Sequence, residues 1–150
     1  MERITFQDIP QEMMGKLMDV EQYINKSLPD FKLLELMRLR VAQINGCAYC
    51  VDMHFKELRH LNETDLRLSS LSVWEETNYF SDKEIAVLKL TEALTTITNK
   101  PISNEAYSSL ENHFDKTEIS ILTLAISQIN TWTRLMKTFK ITPGNYKVSH

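Results

Sequence analysis

Glycine and proline are scarce in this chain, at three and four among 150 residues. Short strands joined by tight turns consume both residue types, so a sandwich or barrel of many short strands is excluded. Cysteine is rarer still, at two, too few for the disulfide framework of a small secreted scaffold. There is no basic surplus either. Seventeen Lys and Arg face twenty Asp and Glu, giving a formal net charge of −3, which leaves no electrostatic footprint for nucleic acid or anionic lipid. The longest strongly apolar run, Ile119 to Ile129, is broken by Ser120, Thr123, Ser127 and Gln128. It falls well short of the ~20 residues that a membrane span requires. Met1 to Pro10 lack the basic and apolar regions of a signal peptide. No GxGxxG occurs, and three glycines are too few to cradle a dinucleotide, so no cofactor is expected. Together these absences predict a cytoplasmic protein with neither a membrane nor a nucleic-acid partner.

What is present is ordinary globular material. Hydrophobic residues make up 43% and charged residues 25%, close to soluble averages. A chain of this length buries roughly 70% of its unfolded surface, enough for a proper core. One all-α domain spanning residues 1–150 is therefore expected.

Helical periodicity and caps divide it. Pro10 opens a first helix carrying Met13, Met14, Leu17, Met18 and Ile24, closed by Leu28 and Pro29. Asp30 caps a second from Phe31 to about Asn45, with Leu33, Leu34, Met37, Val41 and Ile44 as its stripe. Gly46 stands where a helix-terminating glycine belongs. A third helix starts around Cys47 to Tyr49 and runs to about Leu61, its inner positions Cys50, Val51, His54, Leu58 and Leu61. A short helix is expected from Thr64 to about Val73. Ser81 and Glu84 form a capping-box pattern before a helix to Thr98, with Ile85, Leu88, Leu90, Leu94 and Ile97 inward. Ser103 caps a short piece with Tyr107 and Leu110. Asp115 and Glu118 precede a last helix, Ile119 to Phe139, apolar on several faces and so central in the bundle. Pro143-Gly144 begins an exposed tail.

Chemistry concentrates between Glu35 and His54. With Cys47 at the first turn of the third helix, Cys47, Cys50 and His54 share one face, and two sulfurs three residues apart can approach disulfide distance. A helix N-terminus and a neighbouring imidazolium both stabilise a thiolate, the reactive form of cysteine. Glu35 interrupts the apolar run Leu33-Leu34-Glu35-Leu36-Met37, and a buried carboxylate needs a partner. The turn at Gly46 folds the second helix back on the third, which lets Glu35 approach His54. Arg38 and Arg40 are competing partners close in sequence. A carboxylate orienting an imidazole beside a thiol is a general-base arrangement.

Glu35, eleven intervening residues, Cys47-x-x-Cys50 and His54 resemble the signature of the carboxymuconolactone decarboxylase-like superfamily, and more closely its alkylhydroperoxidase D branch. The words Leu39 to His54, Trp74 to Thr77, Thr91 to Thr95 and Gln128 to Trp132 extend the similarity over almost the whole chain. The resemblance implies an all-helical bundle of about six or seven helices, assembled as a homo-trimer or homo-hexamer. It implies a peroxidase that reduces organic hydroperoxides or hydrogen peroxide, with the CxxC pair cycling between dithiol and disulfide. In that pattern Cys50 meets the peroxide, Cys47 resolves it, and Glu35 and His54 relay protons. Some members carry a further relay histidine where this chain has Tyr49, a packing or rim residue or an accessory acid. Members that decarboxylate muconolactones lack the cysteine pair, which disfavours that reaction here. A dithiol donor, lipoyl or thioredoxin-like, must reopen the disulfide.

Other readings compete. The pair suits a general disulfide oxidoreductase or redox sensor. Cys47, Cys50, His54 and Glu35 also supply a zinc-like ligand set, although structural zinc sites use more thiolates and no second CxxC exists. An oligomerising scaffold without chemistry is a third class. His60 and His113 lie in polar surroundings and read as surface residues.

Overall fold

Most helix starts in this protein are fixed by side chains that accept the otherwise unpaired amides of a first turn. In the computed structural model, which describes residues 1–149, such caps open six of the seven α-helices, and Pro10 precedes the remaining one without a side-chain cap. The helices are α1 (Gln11–Ser27), α2 (Phe31–Ile44), α3 (Ala48–His60), α4 (Asp65–Ser70), α5 (Asp82–Thr95), α6 (Asn104–Glu111) and α7 (Lys116–Phe139). Short 3₁₀ turns lie at Phe6–Asp8 and Leu71–Glu76, and the described residues form no strand. The Asp30 carboxylate accepts from the Leu33 amide at the start of α2. Full capping boxes stand at Ser81/Glu84 and Asp115/Glu118, where the sequence places them.

The all-α expectation holds, with local departures. α5 ends at Thr95 rather than Thr98, and Ile97, expected inward, is 55% exposed in the loop beyond. Thr96 closes the helix, its amide and hydroxyl both donating to the Glu92 carbonyl, so Ile97 has no helical turn to sit on. The stripe of α1 is shallow: Ile24 is fully buried, whereas Met18 is exposed. The segment expected as one helix to Val73 breaks into α4 and a 3₁₀ turn.

Three apolar clusters share α2. The largest joins Ile24, Leu34, Met37, Val41, Leu122 and Ile126, from α1, α2 and α7. A second joins Leu36 and Leu39 to Leu58, Leu71, Trp74 and Leu88. The third holds Ala42, Cys47, Cys50, Met136, Phe139 and Ile141. Every residue from Leu33 to Leu39 is buried, so α2 is the most enclosed element, although α7 also packs against α1, α2, α3, α5 and α6. The several apolar faces of α7 find their partners within this one chain. Ile119, Ile121, Leu122, Ala125, Ile126 and Ile129 are all buried, leaving Leu124 exposed. Among the described residues no helix is long and apolar enough to cross a membrane.

Candidate active site

The site begins at the turn between α2 and α3. Gly46 adopts φ +60, a conformation that costs glycine little and strains other residues. The next residue, Cys47, caps α3, and its sulfur accepts from the Cys50 amide at 3.4 Å. Sulfur thus stands where a serine or aspartate oxygen usually sits, facing the free amides and the positive end of the helix dipole. Cys47 and Cys50 are paired as a disulfide with their Cα atoms 5.3 Å apart, inside the roughly 4.4–6.8 Å range of such bridges.

His54 lies one turn beyond Cys50 on the same face of α3, and Glu57 nearly one turn further. All three are buried. Glu35 comes from α2: its Oε2 meets His54 Nδ1 at 2.7 Å, and its Oε1 accepts from Arg38 Nη1 at 2.7 Å. The Arg38 Nη2 donates to Glu21 Oε2 at 2.9 Å and Asn25 Oδ1 at 2.8 Å on α1. The Trp132 indole on α7 donates to Glu21 Oε1 at 2.7 Å. A continuous hydrogen-bonded path therefore runs from α7 through α1 and α2 to the imidazole on α3.

Electrostatics make the path directional. Burial alone pushes the Glu35 carboxyl up, but the facing His54 and Arg38 outweigh burial and hold it below the ordinary carboxylate range. An ionised carboxylate only accepts hydrogen bonds, so in the neutral imidazole Nδ1 carries the proton and Nε2 is left as the basic nitrogen. The sequence left both arginines open as partners for Glu35. Arg38 takes that role together with His54, while Arg40 turns away to Glu92 at 2.7 Å.

Cys50 and His54 open onto a cavity of about 340 Å³ that Glu35, Tyr49, Glu57 and Tyr146 also line. The rest of its wall is largely apolar, including Met14, Met18, Met53, Ile129, Trp132 and Met136. Cys47 is not among the lining residues and is only 1% exposed. Tyr49 is half-buried with its ring tilted against Phe6. Burial, then Asp52 and Glu2, raise its phenol above the ordinary range, so it stays protonated. His60 and His113 are exposed, away from this cavity. Among the described residues no group of three or more His, Cys, Asp or Glu is placed to hold a metal ion.

Sequence reasoning missed Glu21, Trp132, Glu57 and Tyr146. A signal existed for Glu57, which extends the Cys50–His54 stripe by three positions. None existed for Glu21 or Trp132, whose meeting depends on how α1 and α7 cross. Arg38 carries a stability prediction. Arg38→Met strands the buried Glu35 carboxylate with one partner, and breaking a buried pair from one side costs about 3–5 kcal/mol. Urea midpoints at pH 7 should show this loss, and the deficit should shrink on acidification as the stranded carboxyl takes up a proton.

Comparison with known proteins follows the same lines. Residues 11–93 match the family model "Carboxymuconolactone decarboxylase family". The uncharacterized protein YdfG of Bacillus subtilis is 37% identical over 134 residues, covering 89% of this chain and 91% of YdfG. A crystal structure of ATU0492 from Agrobacterium tumefaciens, a protein of unknown function whose suggested identity is the antioxidant defence protein AhpD, superposes with a TM-score of 0.91. That match has 34% identity and covers 97% of this chain and all of ATU0492. An uncharacterized peroxidase-related protein from Ralstonia eutropha, described as an alkylhydroperoxidase AhpD core, shares the fold at a TM-score of 0.78. It has 14% identity, with 91% of this chain and 73% of that one covered. By fold, by sequence and by the residues gathered around its cysteine pair, the chain belongs to the carboxymuconolactone decarboxylase family and is an AhpD-like member of it.

Proposed function

We propose that the protein is a thiol peroxidase reducing organic hydroperoxides or hydrogen peroxide through Cys47 and Cys50. The observation that carries this reading is Cys50 in the wall of an apolar cavity, one turn from a buried imidazole that a carboxylate orients. In the reduced protein His54 takes the Cys50 proton through Nε2, directly or across a water. The thiolate attacks the terminal peroxide oxygen. An S–O bond forms, the O–O bond breaks, and the departing alkoxide receives the proton from the imidazolium and leaves as alcohol. Cys47 then attacks the Cys50 sulfenic acid, the S–S bond forms and water departs. Two electrons and two protons from an external dithiol, lipoyl or thioredoxin-like, restore the pair.

The apolar lining supports organic hydroperoxides over hydrogen peroxide, because an alkyl group gains burial where a water-sized substrate does not. Tyr49 contributes packing at the rim. The assembly read from the family, a homo-trimer or homo-hexamer, would cover exposed apolar side chains such as Tyr23, Leu66, Val73 and Leu124. A monomer by light scattering at micromolar concentration overturns that part.

Peroxide consumption with dihydrolipoamide as donor tests the chemistry. Turnover of cumene hydroperoxide at a higher kcat/KM than hydrogen peroxide is expected. A disulfide that cycles with the donor while no peroxide is consumed would instead establish a disulfide oxidoreductase or redox sensor.

A further inference from the structure

Beyond α7 the chain folds back over the site. Lys140 turns it in the left-handed conformation, and Ile141 is buried in the cluster that holds both cysteines. The tail then runs along α3, exposed except for a half-buried Tyr146 and Val148. The Gly144 amide donates to Asp52 Oδ2 at 2.9 Å. Lys56 Nζ donates to the carbonyls of Gly144 and Tyr146 at 3.0 and 3.1 Å. The Tyr146 hydroxyl donates to Glu57 Oε1. Asp52, Lys56 and Glu57 sit on the two turns of α3 around His54, so the helix that presents the site also grips this strap. The grip brings Tyr146 into the wall of the cavity that Cys50 lines.

We propose that this strap, latched by Tyr146 on Glu57, is a gate that selects the dithiol reducing the Cys47–Cys50 disulfide, admitting slender donors and holding off the surface of a folded one. Exchange requires an attacking thiolate to reach a disulfide sulfur. Cys47 is 1% and Cys50 3% exposed, and only Cys50 faces the cavity. The donor thiolate therefore attacks Cys50, a mixed disulfide forms there, and Cys47 leaves as a thiolate received by the amide at the start of α3. The donor's second thiol then attacks its own sulfur in the mixed disulfide. Cys50 is released, and the donor departs as a disulfide having given two electrons and two protons. A cavity of about 340 Å³ takes a small dithiol whole, whereas a protein dithiol must bring its backbone to the rim that Tyr146 occupies. After Ile141 the strap is held mainly by hydrogen bonds at the surface, which places it among the parts of a fold that open locally.

The proposal rests on the redox reading of the pair but not on peroxide being its oxidant, so its test uses no peroxide. The oxidised protein, a form lacking residues 144–150, Tyr146→Phe and Glu57→Gln are each reduced by dithiothreitol and by a reduced thioredoxin-type protein. Freed thiols are followed by mass-resolved alkylation, and circular dichroism establishes folding. Removing the strap should raise the rate with the protein dithiol about tenfold while the dithiothreitol rate moves little, because access rather than thiol chemistry has changed. The two point variants, which lose only the latch, should shift the same ratio in the same direction by a smaller factor. An equal acceleration with both donors, or an unchanged ratio in the folded variants, overturns the gate. Should the shortened chain not fold, the ratio in the point variants decides alone.

Discussion

Cys50→Ser should abolish peroxide turnover, whereas Cys47→Ser should complete one oxidation and stop. The two sulfurs differ in what they face. Cys50 lines the cavity, and with no thiolate at that position a peroxide entering it meets no nucleophile. Cys47 is hidden from the cavity and caps α3, so its loss leaves the first step intact and removes the second, trapping a sulfenic acid on Cys50. Serine is itself a preferred N-cap, which keeps the start of α3 in place and makes the phenotype chemical rather than structural. The amide held by the Cys47 sulfur argues the other way, since it favours Cys47 as the more acidic thiol. Facing the substrate decides the first step, while thiolate stability favours the better leaving group when the disulfide reopens. Mass spectrometry after a single peroxide pulse separates the cases. A sulfenic acid on Cys47 in the Cys50→Ser protein, with none on Cys50 in the Cys47→Ser protein, reverses the roles.

Local signals were the legible ones. Asp30, Ser81 and Asp115 announce helix starts because a cap needs only a side chain and amides within three residues, and each caps its helix in the structure. Glu35 was readable for a similar reason. A carboxylate inside Leu33 to Met37 has to be paired, and the turn at Gly46 leaves α3 as its nearest neighbour. What could not be read needs distances between segments far apart in the chain. Glu21 and Trp132 are joined across α1 and α7, and neither stands out from its helix as anomalous. Tyr146 lies past Pro143-Gly144, which reads as an exposed tail. Most of that tail is exposed, but hydrogen bonds to Asp52, Lys56 and Glu57 pin it in place, and composition gives no notice of them. The apolar breadth of α7 was legible as a central place in the bundle, though not which helices would cover each face. A helix apolar on several faces is equally suited to neighbours in its own chain or in another, and here α1, α2 and α5 take up most of it.

His54→Gln should lower peroxide turnover by ~10²–10⁴-fold, the usual contribution of a positioned acid–base group, and Glu35→Gln should lower it less. On the proposed mechanism, glutamine at 54 removes the nitrogen that would accept the Cys50 proton and return it to the leaving oxygen, leaving the helix terminus alone to favour the thiolate. Alkylation of the reduced protein, followed in the Cys47→Ser background to isolate Cys50, should then show its pH dependence displaced upward. Glutamine at 35 spares the imidazole and can still accept from Arg38 and His54, but it no longer supplies the charge that stabilises the imidazolium, so the displacement should be smaller. Stability gives a second readout with a fixed sign. Glu35 is held below its unfolded value of about 4.3 by His54 and Arg38. What its ionised form contributes to the fold is therefore complete above that pH and lost as pH falls through the lower folded value. Glu35→Gln has no such group to titrate, so below about pH 4 its urea midpoint should fall less steeply than that of the unsubstituted protein. Identical alkylation profiles for all three proteins would remove the Glu35–His54 pair from the reaction and leave it as packing between α2 and α3.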